Sequence, residues 1–320
     1  MNRRNQILAG ILVLQLVVLS VVFWPRGSAG QAGQSLFPGV QADQIAKLTI
    51  TASDGQTAQL IKGDAGWVLA GTDDFPVLGD KVPPTLTKIV GLKAERPVAT
   101  TTSSQKRLKV AADDYERLVE FELSDGSRHR LYMGTSPSYG ATHVRADDQK
   151  EVYLASLQAQ DLGTTPSSWI DSTYLTIAQD QVTGLKLQNG QGTFEFQKSG
   201  GTWTMTGLAA GEAVDSSKVQ TLLNRVSPLT MLRPLGKSEQ PEYGLAQPLA
   251  VLEVKTADKS YLLKIGALDP ADTSYVVSSS ESPYFVRVSQ YSVGDLVDRG
   301  RDWFLVQPTP VPTPAPAVTP

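Results

Sequence analysis

Two stretches of this chain repeat one pattern, "TLTKIVGLKAERPV" from Thr85 to Val98 and "TLLNRVSPLTMLRPL" from Thr221 to Leu235. Each runs an amphipathic segment into an Arg-Pro pair and a following apolar residue. Because the residue before a proline is pushed towards extended geometry, we expect helical geometry to stop by Arg96 and Arg233. A cation at this place also suits a helix C-terminus. We interpret the repeated pair as the helix-to-strand exit of a duplicated fold, and not as a duplicated ligand site.

Further landmarks recur in the same order along the chain. Arg96-Pro97 and Arg233-Pro234 are separated by 137 residues, as are Val77 and Val214. Other matched pairs lie at slightly smaller separations, as loop insertions and deletions would produce: Trp67 with Trp203, Gly134 with Gly266, and Trp169 with Trp303. The ordered series predicts two diverged copies of one domain.

Within each copy, the local patterns predict the same elements. Alternating apolar and polar residues surround Asp54-Gly55 and Asn189-Gly190, which are typical of tight hairpin turns. An amphipathic helix follows, with Asp215 or the serines after it as the N-cap in the second copy, and two further hairpins come after the helix. The expected fold class is α+β: two tandem copies of a mainly antiparallel β domain, residues 42–177 and 181–306, with one main helix each.

The two ends of the chain differ from this pattern. Residues 7–24 are uncharged and apolar, and as a helix they would span roughly 27 Å, close to the thickness of a bilayer core. Arg3 and Arg4 precede this segment, so residues 1–26 are predicted to be a transmembrane helix with a cytoplasmic N-terminus; a cleaved signal peptide is the alternative. Residues 27–41 are a linker, and residues 307–320 are a Pro/Thr-rich disordered tail.

These features predict a single-pass protein of the cell membrane with most of the chain outside the cytoplasm, in contact with membrane lipid through its N-terminal helix. The net charge of −3 makes nucleic acid an unexpected partner. The absence of cysteine excludes disulfides, thiolate metal sites and a cysteine nucleophile.

No catalytic constellation stands out in the sequence. Ser103 to Lys106 fits the SxxK pattern of penicillin-binding enzymes, but its partner motifs are missing and the stretch looks unlike a helix start. His129 is expected on the polar face of a strand and His143 at the start of another, neither with a counterpart in the second copy. Acidic residues in predicted loops lack calcium-loop spacing and are interpreted as solvated charge: Asp73-Asp74, Asp113-Asp114, Asp147-Asp148, Asp269 and Asp272.

The aromatic residues carry a weaker signal. The four matched tryptophans are interpreted as core residues that each copy needs for its own packing, with a sugar-binding platform as the alternative. The loop around Tyr139, with Ser136 and Ser138, is a polar aromatic segment suited to touching a ligand. We therefore predict no catalytic, cofactor-binding or metal-binding residues, and no cofactor.

The soluble part resembles the bacterial domain-of-unknown-function 4340 family. The residues that carry the resemblance are "AVDSSKVQTLL" at Ala213–Leu223, "EYGLAQPLAVLEV" at Glu242–Val254 and "YERLVEFELSDG" at Tyr115–Gly126. The resemblance implies a membrane-anchored envelope protein with an accessory role beside ABC-type export systems of the gliding-motility kind, and a transporter permease or other envelope protein as partner. The expected function is that of a non-enzymatic extracytoplasmic scaffold; the alternatives are a cell-wall glycan-binding module and an envelope hydrolase.

Overall fold

The computed structural model describes Gln15 and residues 33–307. The predicted anchor of residues 1–26, apart from Gln15, and the tail beyond residue 307 lie outside this part. Among the residues that are described, no helix has the length and apolar character needed to cross a membrane.

The described chain is built mainly from two eight-stranded, mainly antiparallel sheets. The strands of the first sheet are β2 (Ile45–Ala52), β3 (Thr57–Gly63), β4 (Gly66–Leu69), β5 (Phe75–Pro76), β9 (Arg117–Leu123), β10 (Arg128–Met133), β11 (Thr142–Ala146) and β12 (Tyr153–Ala155). Those of the second are β14 (Val182–Asn189), β15 (Gly192–Ser199), β16 (Thr202–Met205), β18 (Arg233–Gly236), β19 (Ala250–Thr256), β20 (Ser260–Asp269), β21 (Ser274–Ser279) and β22 (Phe285–Ser289).

Six short strands form three two-stranded pairs: β1 (Gln34–Ser35) with β6 (Lys93–Ala94), β7 (Val110–Ala111) with β8 (Asp114–Tyr115), and β13 (Thr173–Leu175) with β17 (Leu229–Thr230).

Seven strands follow the same order in both sheets. The first sheet runs β12-β11-β10-β9-β2-β3-β4 and then ends with β5. The second runs β22-β21-β20-β19-β14-β15-β16, and its additional strand, β18, lies at the opposite end, beside β22. The predicted predominance of antiparallel strands with few helices is therefore confirmed, and the two sheets differ in which edge carries the eighth strand.

The predicted hairpins form as their turn residues dictate. Gly55 has φ +86° between β2 and β3, a left-handed conformation that glycine adopts without steric cost. Asn189 pairs with Gly192 at the end of the β14–β15 hairpin, and its side chain accepts a hydrogen bond from the Gln191 amide at 2.8 Å. These local bonds fix the register that places the apolar face of each strand towards the core.

Four helices accompany the sheets in the described part: α1 (Val82–Val90), α2 (Thr102–Arg107), α3 (Ser216–Val226) and α4 (Gln290–Asp298). Asp215 caps α3 as predicted, since its side chain accepts from the Ser217 amide at 3.0 Å. Pro83 and Pro84 fall in the first turn of α1, where a missing amide donor costs nothing. Helix α2 was not predicted as a separate element.

Both main helices stop before their Arg-Pro pair, as predicted, but about two turns earlier than the pair itself. Helix α1 stops at Val90 and α3 at Val226, well before Arg96 and Arg233. Ser227, the C-cap of α3, is extended and precedes Pro228. Pro228 therefore stops the helix by the effect on the preceding residue that was expected from Pro234. Strands β6 and β17 then occupy the space before each Arg-Pro pair, so neither arginine lies at a helix C-terminus.

The chain divides into two compact units. Of the described residues, the first unit contains those up to Gln44, Ala52–Asp54 and Thr85–Leu162; the second contains Ile45–Thr51, Gly55–Pro84 and all residues from Gly163 onwards. In the first unit Phe37 packs edge-on against Phe121 with ring centroids 5.0 Å apart. In the second unit α3 buries Val219, Leu222, Leu223 and Val226, each contributing about 2 kcal/mol of apolar burial. Helix α4 packs on β14, β19, β21 and β22.

Candidate functional site

A groove of about 360 Å³ opens on the second unit between strands β3 and β18. Its walls combine small apolar residues with hydroxyl, amide and guanidinium groups. The lining residues are Thr57, Ala58 and Gln59 of β3, Leu69 of β4 and Ala70 to Thr72 after it, Pro166, and Arg233, Pro234 and Leu235 of β18. The second Arg-Pro pair thus lies in a groove wall.

One wall is the free edge of β18, the last strand of the second sheet. The Leu232 amide donates to Arg287 O of β22 at 2.7 Å, so the backbone groups of Leu232 face β22. Backbone groups of successive residues in a strand point to opposite sides. The register of β18 itself begins after Leu232, with Arg233 paired to Arg287 and Pro234 paired to Val286. Because Pro234 has no amide hydrogen to give β22, the backbone groups of Arg233 face β22 and Pro234 is turned to the open edge.

The other wall is the uncovered end of β3. Strand β4 pairs with β3 only from Leu60 to Gly63, and the Ala70 amide extends this pairing by one bond to Gln59 O, at 2.9 Å. By the same alternation, the backbone groups of Thr57 point to the side that β4 no longer covers. The groove is thus bounded on one side by the Thr57 end of β3, which no described strand covers, and on the other by the edge of β18 at Pro234.

Arg233 supplies the charge of the groove. Its guanidinium is 44% exposed, and Asp272 Oδ2 lies 3.9 Å from Nη2. The other oxygen of Asp272 accepts from the amide and hydroxyl of Ser274, so this carboxylate serves mainly to close its own turn. Arg287 is the direct cross-strand partner of Arg233 and is 3.7 Å from Asp269. Arg233 therefore keeps donors that a carboxylate in the groove can reach.

A turn at Asp73 and Asp74 directly follows Thr72, which lines the groove. Both residues have left-handed backbones, with φ of 51° and 64°. Asp73 Oδ2 accepts from the Lys237 amide at 2.7 Å, and Asp74 O accepts from the Tyr284 hydroxyl at 3.0 Å. Phe75 packs against the Tyr284 ring with centroids 4.7 Å apart. Asp73 was predicted to be a solvated loop charge, but its carboxylate instead accepts a hydrogen bond from the backbone at the end of β18.

His129 does not lie on a polar face, contrary to the prediction. It pairs directly with Phe121 across β9 and β10, so it shares the core face, and the rings of Phe37 and Phe121 contact it at centroid distances of 5.6 and 5.3 Å. Its Nδ1 lies 3.0 Å from Asp147 Oδ2. The arginines on either side of His129 suggested a polar face for it. The side-chain burial along β10, however, changes from mixed to fully buried within six residues, so the alternation does not hold.

The remaining predicted candidates lie apart from the groove. His143 is the second residue of β11, close to the predicted start of the strand, with Nδ1 2.7 Å from Thr135 O. The SxxK residues lie in the first turns of α2, contrary to the expected non-helical stretch, but Lys106 is bound to Asp113 at 2.8 Å. That hydrogen bond raises the pKa of Lys106, the opposite of what a general base needs. Asp114 pairs with Lys109 at 2.8 Å, so these acidic residues close local turns.

The tryptophans are only partly core residues. Trp169 and Trp203 are buried, whereas Trp67 and Trp303 are half-buried. Lys218 and Arg299 each lie 5.2 Å from the Trp303 ring, which leaves this ring poorly placed to stack on a sugar. Tyr139 is 96% exposed at the tip of a turn that the Ala141 amide closes onto Ser138 O. Among the described residues, no group of His, Cys, Asp or Glu is arranged to hold a metal ion.

The groove itself was missed by sequence reasoning. Its two walls come from β3 and β18, which are far apart in sequence, and only the folded chain brings them together. Pro234 offered a signal, because a proline in a strand is found almost only at a sheet edge.

The chain was compared with known proteins at three levels. No curated protein and no solved structure shows a significant similarity to it. The family model described as "Domain of unknown function (DUF4340)" matches residues 67–248, more than half of the chain. The matched segment runs from Trp67 in β4 to the residues just before β19; it includes the β18 wall of the groove and Leu69 to Thr72, but not the β3 wall. The chain belongs to the DUF4340 family of domains of unknown function.

Proposed function

We propose that this protein is a non-enzymatic, membrane-anchored accessory protein whose bulk lies outside the cytoplasm and binds another envelope protein. The observation that carries this proposal is the groove between β3 and β18, where the Thr57 end of β3 has no neighbouring strand among the described residues and Arg233 adds a half-exposed guanidinium. Such edges recognise polypeptide through main-chain hydrogen bonds. The apolar segment of residues 7–24 supplies the anchor, and the corresponding strand orders of the two sheets support the origin by duplication.

A transporter permease is the partner that we propose to test first. The experiment is purification of the full chain, with its N-terminal segment, from detergent-solubilised membranes of the native cell, followed by identification of bound proteins. Recovery of permease and ATPase subunits in fixed proportion supports the accessory role. If the chain elutes alone after in-cell cross-linking, the role is refuted.

Wall-glycan binding is the second candidate, because Tyr139 is almost fully exposed on an ordered turn and an aromatic ring can pack on a sugar face. Retention on purified wall polymer that is lost in Tyr139→Ala, and not in the exposed Tyr291→Ala, would favour this function over the accessory role.

A hydrolase function is tested separately. If the purified chain turned over an envelope substrate and lost this activity on His143→Ala, the non-enzymatic proposal would be wrong. Thr135→Ala is the matched control, because its hydroxyl contacts the same ring nitrogen at 3.0 Å while its carbonyl contact remains available.

A further inference from the structure

We infer that Asn189 is a site of spontaneous deamidation that the folded second unit protects, and that its modification irreversibly loosens the end of helix α4. The inference concerns a covalent change to this chain and is independent of the proposed partner. Three observations carry it: the residue that follows Asn189, the hydrogen bonds of its side chain, and the core packing of the segment to which it binds.

The sequence distinguishes Asn189 chemically from the other asparagines. The chain contains four, and only Asn189 precedes a glycine; the others are Asn2, Asn5 and Asn224. In deamidation, the amide nitrogen of the following residue attacks the side-chain carbonyl carbon of asparagine. Gly190 has no side chain, so its nitrogen is the least obstructed for this attack.

The reaction balances with water as the sole co-reactant. The Gly190 nitrogen forms a bond to Cγ of Asn189 and gives up its proton, while the bond from Cγ to Nδ2 breaks and this nitrogen leaves as ammonia. Water then opens the five-membered ring at one of its two carbonyl carbons. Attack at Cγ yields aspartate, whereas attack at the main-chain carbonyl carbon yields isoaspartate, in which the backbone runs through the former side chain.

In the folded protein, the carboxamide of Asn189 binds the end of helix α4. Its Nδ2 donates to Leu296 O at 2.8 Å and to Arg299 O at 3.0 Å. Its Oδ1 accepts from the Gln191 amide at 2.8 Å. Leu296 lies in the last turn of α4, where carbonyl groups have no partner within the helix. Both hydrogens of the carboxamide therefore bind backbone at the end of α4.

These bonds oppose ring closure. Asn189 pairs with Gly192 of β15 and with Ala250 of β19, so its backbone is held extended from both sides. Closing the ring requires Cγ to turn towards the Gly190 nitrogen, which breaks both bonds to the end of α4. Deamidation therefore requires local opening of the β14–β15 turn, and its rate falls with the fraction of molecules that are open.

Either product prevents the contact from forming again. Aspartate at position 189 has an oxygen in place of Nδ2, so a carboxylate without a hydrogen to donate would face Leu296 O and Arg299 O. Its negative charge also lies at the C-terminal end of α4, where the helix dipole disfavours it. Isoaspartate lengthens the backbone of the turn and displaces the pair of Asn189 with Gly192. A turn that has reacted while open therefore cannot close as before.

The contact affects the core because the segment after α4 leads into it. Gly300 lies against the β14–β15 turn, since a β-carbon on it would be 3.6 Å from Cβ of Gln191. Farther along, Phe304 is fully buried, and its ring contacts those of Phe194 and Phe196 at centroid distances of 5.5 and 4.8 Å. Loss of the bonds at the turn therefore weakens packing in the core of the second unit.

The test follows deamidation in the full chain, purified in detergent micelles and kept either folded or unfolded in urea at mildly alkaline pH. Peptide mass mapping measures the mass gain that accompanies replacement of NH2 by OH at Asn189. We expect deamidation in the unfolded chain and a rate at least about tenfold lower in the folded chain, because only the open fraction reacts. Asn224 is the internal control in urea and should react more slowly than Asn189, since the side chain of Arg225 obstructs the attack.

Gly190→Ala is the matched variant. A β-carbon at this position meets no atom within 4 Å, so the fold is retained, while the methyl group obstructs the attacking nitrogen. Its deamidation in urea should be several-fold slower than that of the native chain. Asn189→Asp reproduces one product directly. Its urea midpoint should lie below that of Asn189→Ala, which removes the donors without adding a charge.

Any of four results would overturn the inference: no deamidation of Asn189 in urea, equal rates in the folded and unfolded chain, an undiminished rate in Gly190→Ala, or an Asn189→Asp variant as stable as the native chain. None of these measurements involves a partner protein. Their outcome is therefore separate from that of the membrane purification, which tests the proposed accessory role.

Discussion

At Gly134 and Gly266, the absence of a side chain allows another backbone segment to pack closely against the glycine. A β-carbon on Gly134 would lie 1.9 Å from Leu108 O, and one on Gly266 would lie 2.1 Å from Tyr243 O. Both contacts are to backbone, which cannot rotate away as a side chain can. The sequence matched these two glycines, and the structure gives the reason: the backbone of an earlier segment lies directly against each of them.

We predict that Gly134→Ala and Gly266→Ala each lower the free energy of unfolding by about 3 kcal/mol, because the added methyl group forces the backbone apart. Gly79→Ala and Gly190→Ala are matched controls, since a β-carbon at either position meets no atom within 4 Å. Urea unfolding followed by circular dichroism measures all four variants. Equal stability of test and control variants would contradict the argument.

Glu212 is a second residue whose contacts have a consequence for the whole fold, here the dependence of stability on pH. It accepts two hydrogen bonds from the Arg301 guanidinium and one from the Ala209 amide, at 2.8 Å. The Arg301 hydrogen bond, followed by that of the Ala209 amide, lowers the pKa of Glu212 to about 2. Because the folded pKa lies below the unfolded value of about 4.3, the carboxylate stabilises the fold above that value and loses this contribution as pH falls towards 2.

Glu212→Gln is therefore expected to reduce the acid sensitivity of the unfolding midpoint between about pH 4.3 and pH 2. Midpoints of both proteins, measured by thermal unfolding from pH 7 to pH 2, should converge at the acid end. Glu239→Gln, at an exposed position, is the control and should follow the native curve. A constant offset between native and Glu212→Gln at every pH would show that the carboxylate contributes only by packing.

At the scale of elements, β18 is the strand in which the two sheets differ. It adds to the β22 edge of the second sheet, and the Asp73–Asp74 turn holds its far end through the Lys237 amide. Two consecutive aspartates in left-handed conformation are uncommon, although aspartate tolerates this region better than most residues. The bonds to Lys237 and Tyr284 offset the cost of that conformation.

We expect Asp73→Ala to destabilise the protein by about 2 kcal/mol more than Asp74→Ala. Both variants place alanine in the same strained region, so the backbone cost is shared. They differ because the Asp73 carboxylate binds the Lys237 amide, whereas Asp74 contributes its carbonyl, which alanine retains. Chemical unfolding measures the difference, and amide exchange at Lys237 locates it. Indistinguishable variants would mean that the carboxylate bond adds nothing.

At the scale of the whole molecule, the two units do not follow the predicted repeat boundaries. Residues 55–84, assigned by sequence to the first copy of 42–177, belong to the same compact unit as residues from Gly163 onwards. Within this unit Phe75 packs on Tyr284 and Lys81 Nζ donates to Ser168 O at 2.8 Å. The boundaries at 177 and 181 remain a prediction that dissection of the chain can test.

An isolated fragment of residues 181–306 is expected to unfold at a lower urea midpoint than the full chain. It lacks Phe75, Asp73 and Tyr174, whose hydroxyl donates to Tyr284 O at 2.7 Å, and their loss should cost about 3 kcal/mol or more. A longer fragment of residues 163–307 restores Tyr174 and should recover part of the difference. If the shorter fragment matched the stability of the full chain, it would be an autonomous domain.

The sequence by itself determined the antiparallel hairpins, the main helix of each copy, the cap at Asp215 and the family, because these depend on local periodicity, turn residues and short motifs. It wrongly put Arg96 and Arg233 at helix C-termini and His129 on a polar face, where neighbouring strands compete with local preference. Only the tertiary structure decided which sheet edge carries β18, that Gly55–Pro84 joins the second unit, and that Arg233 lines a groove. These features depend on contacts between residues that are distant in the chain. Such contacts stabilise the fold only after the intervening loops have closed and brought the residues together.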